Sequence, residues 1–176
     1  LCFSLQIGLL NEAKQVRTAS LRVLRYLLPY EEALDTFLKL HFDFLVARCL
    51  DVSLDNEIER IHAVKLIRQI IRSAPDKFPK SLLYALVAIG NDGASERDRM
   101  VRVSLETICE LAFSNTELVA KCGGIQTLIW NILDCHQYPR LNEALTSTII
   151  FVLNHPRTRH FIQPQVDLER LLAPFT

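Results

Sequence analysis

The sequence predicts an all-α chain of stacked helical trios, and three observations predict it. Long segments carry apolar residues at helical spacing, while no segment alternates apolar and polar residues for the length of a strand. The helical pattern also repeats. Residues 17–28 align with residues 60–71 at an offset of 43, and Leu105, Ile108 and Leu111 fall 41 residues after Val64, Ile67 and Ile70. The third observation is the stretch from Asn115 to Asn154. It reads as a short helix, a Gly123-Gly124 corner, a second helix, a brief break and a longer third helix. A trio of this kind cannot bury its apolar face alone and needs neighbours above and below. A period of 40 to 47 residues is the armadillo or HEAT range. The expectation is therefore an armadillo/HEAT-like right-handed α-solenoid of about four repeats, one segment over residues 1–176.

Taken in order, residues 1–10 read as the end of a helix from a preceding unit. Residues 12–28 form an amphipathic helix with Ala13, Val16, Ala19, Val23 and Leu27 on its expected apolar face, stopped by Pro29. Residues 30–40 and 42–51 are short helices, the second with Phe42, Leu45, Val46 and Cys49 inward. Asp55 or Asn56 caps a helix over 57–73 that buries Ala63, Leu66, Ile67 and Ile70. Pro75 and Pro79 frame a turn before an apolar helix over 82–89. The run 90–93 ends that helix, and Ser95 with Asp98 opens the next one, to Phe113. In the repeat over 115–154, Gly123 and Gly124 supply a left-handed turn and a close approach of two helices. Leu118, Val119 and Ala120 line its first helix, Leu128, Ile129, Ile132 and Leu133 its second, and Leu145, Ile149, Val152 and Leu153 its third. Short helices over 157–162 and 166–172 follow.

The totals restrict function. With 20 Lys plus Arg against 20 Asp plus Glu, the chain lacks the basic excess of a dedicated nucleic-acid binder. Five scattered Cys (2, 49, 109, 122 and 135) read as buried free thiols in a reducing compartment. No apolar run approaches a membrane span of roughly 18 residues. Residues 1–10 are apolar but lack the basic region and cleavage site of a signal peptide. The chain opens without Met, inside helical pattern, which reads as a fragment of a larger solenoid.

Chemistry-bearing constellations are sparse. His155 and His160 have the spacing of a zinc-finger pair, but no Cys pair completes it. Cys135 and His136 are adjacent, so on a helix they point in different directions. The loop 90–95 follows a helix and lacks the Lys of a phosphate-binding loop. No metal, cofactor or catalytic residue is expected. The informative feature is basic. Lys14, Arg22 and Arg25 on helix 12–28, and Lys65, Arg68 and Arg72 on helix 57–73, are expected opposite the apolar faces. The internal alignment pairs Arg22 with Lys65 and Arg25 with Arg68, so stacked repeats would set them in adjacent rows facing an acidic or phosphorylated ligand. A second candidate is the run 96–102, in which Arg97, Arg99 and Arg102 stand among Glu96 and Asp98.

Several stretches carry a resemblance to a known family. They are residues 90–93, 96–102, 108–112, Gly123-Gly124, 141–145, 153–159 and 168–174, with residues 12–28 fitting the same region. In order and spacing they resemble the N-terminal armadillo region of the Rictor family. The resemblance implies a non-catalytic scaffold subunit of target-of-rapamycin complex two, located in the cytoplasm and peripheral at membranes through the complex. It implies as partners the TOR kinase subunit, a Sin1-type substrate-recruiting subunit and a small WD-repeat subunit. Through them such a subunit would serve phosphorylation of AGC-family kinases such as Akt and affect the actin cytoskeleton. The competing reading is a free-standing peptide-binding adaptor of the importin or catenin kind. Grooves of that kind repeat Trp and Asn on third helices, whereas the one Trp here, Trp130, falls on a second helix.

Overall fold

A computed structural model describes residues 2–51, 56–92, 99–135 and 137–172. All regular structure among the described residues is helical: eleven α-helices and two short 3-10 turns. The chain forms two compact units, Leu1–Ala85 and Leu86–Thr176.

The first unit contains α1 (Cys2–Leu10), α2 (Lys14–Leu27), α3 (Glu31–Lys39), α4 (Phe42–Arg48), α5 (Glu57–Ser73), a 3-10 turn over Pro75–Lys77 and the start of α6 (Lys80–Gly90). Pro29, with no N–H to give, follows the last turn of α2. Glu31 and Glu32 open α3 and Lys39 closes it, each charge matching the helix dipole at its end. His41 turns the chain into α4 with a φ of 55°, a left-handed conformation uncommon outside glycine. Across that turn the rings of Phe37 and Phe42 stack at 5.8 Å, both buried. α2 packs against α1 on one side and α5 on the other.

On α5 the four predicted core residues, Ala63, Leu66, Ile67 and Ile70, are fully buried. On α2 the expected face is wrong. Ala13, Val16, Ala19 and Val23 are exposed and Leu27 is half-buried, while Ser20, Leu21, Leu24 and Leu28 are buried. Both stripes have helical spacing, so periodicity alone does not choose between them. Three leucines remove more apolar area from water than two valines and two alanines, at roughly 1.5–3 kcal/mol for each large side chain fully buried. Gly8 of α1 lies against this face: a Cβ there would stand 2.2 Å from the Ser20 hydroxyl, so a side chain at position 8 would force that hydroxyl aside.

The second unit contains the end of α6, then α7 (Arg99–Ser114), α8 (Thr116–Lys121), α9 (Gly124–Asn131), α10 (Pro139–Asn154), a 3-10 turn over Arg159–Phe161 and α11 (Pro164–Leu172). The long helices α7 and α10 pack together, and α8 and α9 complete the layer against α7. Asn115 caps α8 by accepting the Leu118 amide at 3.3 Å. The paired glycines divide their work. Gly123 takes a φ of 81°. At Gly124 a Cβ would stand 2.6 Å from a Val119 methyl and 3.1 Å from the Val119 carbonyl, which is what lets α8 and α9 approach.

Val119, Ala120, Leu128, Ile129, Ile132, Leu145, Ile149 and Val152 are buried as expected, but Leu153 is 44% exposed. Residues 157–162 do not form the expected α-helix. The buried Thr158 donates its hydroxyl back to the Val152 carbonyl at 3.3 Å, which closes α10 and leaves a single 3-10 turn. The expected Ser95–Asp98 cap and Gly93 lie outside the described residues.

Candidate functional site

One ion pair joins the two helices that carry the basic rows. Arg17 on α2 donates from Nε to Glu59 Oε1 at 2.8 Å and from a terminal nitrogen to Oε2 at 2.9 Å, a fork-to-fork contact with Glu59 on α5. A further Arg17 nitrogen donates to the Asn11 and Glu12 carbonyls, so the guanidinium also ties down the α1–α2 turn. Glu59 is 3% exposed. Burial raises its pKa, but hydrogen bonds from Arg17, Cys49 and Asn56 together outweigh that and hold the carboxyl below its ordinary value. Cys49 shows the reverse. Burial, then the neighbouring Glu59 carboxylate, pushes its thiol up to about 12, so the sulfur stays a donor and an inert one. Burial also pushes the Cys109 thiol up, to about 11.

The pair joins positions 42 apart, within one residue of the alignment offset of 43. Arg22 and Arg25 accordingly come beside the stretch of α5 bearing His62 and Lys65. Arg22 lies roughly opposite the stripe of Ser20, Leu21, Leu24 and Leu28 that α2 buries. All three cations act on one imidazole. Burial first, and then the charges of Lys65, Arg25 and Arg22, hold the His62 pKa below its ordinary value. His62 Nδ1 is sealed from water and has no hydrogen-bond partner among the described residues. Arg22 and Lys65 are exposed and Arg25 is half-buried, its guanidinium 5.4 Å from the Tyr26 ring centroid. Among the described residues no carboxylate pairs with these three cations. Arg68 continues the row one turn past Lys65 and is half-buried, with contacts of its own. Arg22 also borders a cavity of about 550 Å³ between α2 and the start of α5, shared with Lys14, Thr18, Asn56, Glu57 and Ile58.

The second basic candidate is not assembled in the same way. Arg97 lies outside the described residues, and Arg99 is exposed at the start of α7. Arg102 is half-buried and held over the Tyr138 ring at 4.5 Å, donating to its hydroxyl at 3.2 Å. That stacking is a structural role the sequence did not suggest. Trp130 is likewise engaged: the Arg170 guanidinium lies 3.1 Å from its ring centroid. The adjacent Asn131 donates to the Gly90 and Thr127 carbonyls at 3.0 and 2.8 Å, so its amide is committed to joining α9 to the end of α6. Neither residue presents the open Trp–Asn pair of an importin-type groove. His155 closes α10 with Nδ1 3.2 Å from the Thr158 hydroxyl, and His160 packs on Phe161. Among the described residues no group of three or more His, Cys, Asp or Glu could hold a metal ion. All five cysteines are free thiols, four of them buried.

This arrangement presents charged side chains on a packed helix pair. The family model described as "Rapamycin-insensitive companion of mTOR, N-term" matches residues 1–176. The chain belongs to the Rictor family. It is 51% identical over 172 residues to the Rapamycin-insensitive companion of mTOR of Homo sapiens, an alignment covering 98% of this chain and 10% of that protein. It is 35% identical over 163 residues to Protein pianissimo A of Dictyostelium discoideum, covering 93% of this chain and 14% of the relative. With Target of rapamycin complex 2 subunit TSC11 of Saccharomyces cerevisiae it shares 25% identity over 160 residues, 91% of this chain and 11% of that subunit. The chain thus spans about a tenth of the length of these Rictor-family relatives. No helix among its described residues is long and apolar enough to cross a membrane.

Proposed function

We propose that this chain is a non-catalytic scaffold segment of a Rictor-type subunit of target-of-rapamycin complex two, working in the cytoplasm as one part of a longer right-handed armadillo-like solenoid. The observation that carries the reading is the family match along all 176 residues, joined by a relative whose name places it in that complex. Helix pairing at a repeat-length register, with Arg17 on Glu59, is what a solenoid of such trios requires. The partners are the kinase subunit, a Sin1-type subunit and a small WD-repeat subunit, and the complex so held serves phosphorylation of AGC-family kinases such as Akt and the actin cytoskeleton. Binding uses extended surface. The surface that faces a partner carries Arg22, Arg25, Lys65 and Arg68, with Arg97, Arg99 and Arg102 as a second, separate candidate.

The test is affinity capture of the complex through its kinase subunit, comparing the full-length protein with one lacking residues 1–176. Loss of the Sin1-type subunit or of this subunit from the captured material is expected. Normal recovery of every subunit would leave the segment without the assembly role.

A further inference from the structure

We propose that the cavity between the end of α6 and α9 takes an arginine side chain from a partner's peptide segment, its guanidinium stacked on Trp130 and forked to Asp134. The inference goes beyond the scaffold reading and uses a surface separate from the basic rows.

The cavity, of about 620 Å³, is bordered by Gly90 and Asn91 at the end of α6, by Gln126, Trp130 and Asn131 of α9, and by Asp134 just past that helix. Its walls are tied together. Asn131 donates to the Gly90 and Thr127 carbonyls at 3.0 and 2.8 Å, and Gln126 donates to the Phe161 carbonyl at 2.8 Å. Beyond α9 the Cys135 amide donates to the Asn131 carbonyl at 3.1 Å, so the helical turn continues. Asp134 therefore stands one turn on from Trp130, on the same side.

The groups left over decide the occupant. The Asn131 amide spends its N–H groups within the chain and keeps an oxygen, which only accepts. Asp134 is exposed and makes no ion pair among the described residues. No cationic side chain among the described residues borders the cavity. An anion would meet a carboxylate there, and an apolar side chain would strip water from acceptors without replacing it. Trp130 is 54% exposed, and an indole face attracts cations. The chain itself shows this ring taking a guanidinium. Arg170 of α11 lies 3.1 Å from its centroid but does not border the cavity, so the part of the indole that does is left to another group.

Arginine meets both demands at once. Its planar guanidinium stacks on an aromatic ring and gives two parallel N–H groups to a carboxylate, whereas the lysine ammonium has neither plane nor fork. Asp134 supplies the negative charge that a second guanidinium near Arg170 needs. The volume falls within the roughly 300–1,000 Å³ of pockets that hold ligands larger than one side chain, which leaves room for the peptide that carries it.

The probe is a set of degenerate peptide libraries with one fixed central residue: arginine, lysine, leucine or glutamate. They are offered to the purified full-length protein, with free arginine as a competitor. Retention of the arginine library about tenfold above the leucine and glutamate libraries, and well above the lysine library, is expected. Asp134→Asn or Trp130→Ala should remove that excess, while Asp134→Glu and Trp130→Phe should keep most of it. Asp134→Asn touches an exposed side chain, so it reads binding even where loss of the Arg170 contact lowers the melting point of Trp130→Ala. Equal retention of the libraries, equal retention of arginine and lysine, or an arginine excess that Asp134→Asn leaves intact would each overturn the inference. Free arginine competing at no more than the peptides' own concentration would do so too, since the segment would then contribute nothing. Each outcome is read without the other subunits and so stands apart from capture of the complex.

Discussion

Arg17 and Glu59 face each other across the α2–α5 seam at 2.8 and 2.9 Å, both oxygens of the carboxylate engaged by one guanidinium. Removing one member of a buried pair strands the other, at a cost of about 3–5 kcal/mol for full burial. Arg17 keeps 17% exposure, so the expectation for Arg17→Ala is below that range, about 2–3 kcal/mol. Glu59→Gln, which retains the shape and most donors' targets, should cost less. The urea midpoint of unfolding measures both.

The same pair makes a statement about acid. The Glu59 pKa is lowered in the folded chain, so the folded state binds the proton more weakly than the unfolded one. Its contribution is present above the ordinary carboxylate pKa and is lost as pH falls through the lower, folded value. His62 acts in a higher window but with the same sense. Its pKa is also lowered, so below the ordinary histidine pKa near 6.5 the unfolded state takes up more protons and stability declines. Melting midpoints between pH 7.5 and pH 5 should fall less in His62→Gln than in the parent.

The buried face of α2 can be read directly from two neighbouring substitutions. Leu24 is 5% exposed and Val23 41%. Leu24→Ala should destabilise by about 2–4 kcal/mol, and Val23→Ala by roughly 0.5 kcal/mol or less. Comparable losses from both would contradict the rotated face.

Gly124→Ala should cost about 1–3 kcal/mol through the Val119 contact. Gly123→Ala meets nothing within 4 Å and should cost roughly 1–2 kcal/mol for its φ alone. Adding Val119→Ala relieves the methyl contact at position 124 only, so a melting comparison of the two double variants separates clash from backbone strain.

Thiol chemistry gives a further check. With pKa values of about 12 and about 11, Cys49 and Cys109 should resist iodoacetamide at pH 8 in the folded chain, while the half-buried Cys2 reacts. Peptide mapping by mass spectrometry reads the modified positions, and rapid labelling of Cys49 would contradict its placement beside Glu59.

Element positions were largely legible in the sequence because their causes are local. Pro29, Pro75 and the Gly123 turn act within a few residues, and α5 spans Glu57–Ser73 as the pattern predicts. What was not legible depends on partners far along the chain. The face of α2 follows from its packing against α1 and α5, which its own spacing does not announce. Arg102 on Tyr138, Arg170 on Trp130 and Ser81 donating to Asp43 join positions 36 to 40 residues apart with no motif to announce them. The basic rows stand between these cases. The internal alignment paired Arg22 with Lys65, and it placed Arg17 against Arg60, one residue from its true partner. His62 gave no signal, since an isolated histidine on a helix is mute until its neighbours are known.

The account holds that this segment works by surface alone, through charge fixed on a paired-helix frame. The most direct measurement is recovery of the kinase and Sin1-type subunits with the full-length protein carrying Arg22→Glu, Arg25→Glu, Lys65→Glu and Arg68→Glu together, its helicity and melting point held equal to the parent's. The account predicts loss of a partner from the captured complex. Undiminished recovery of all of them, with the chain folded, would contradict it.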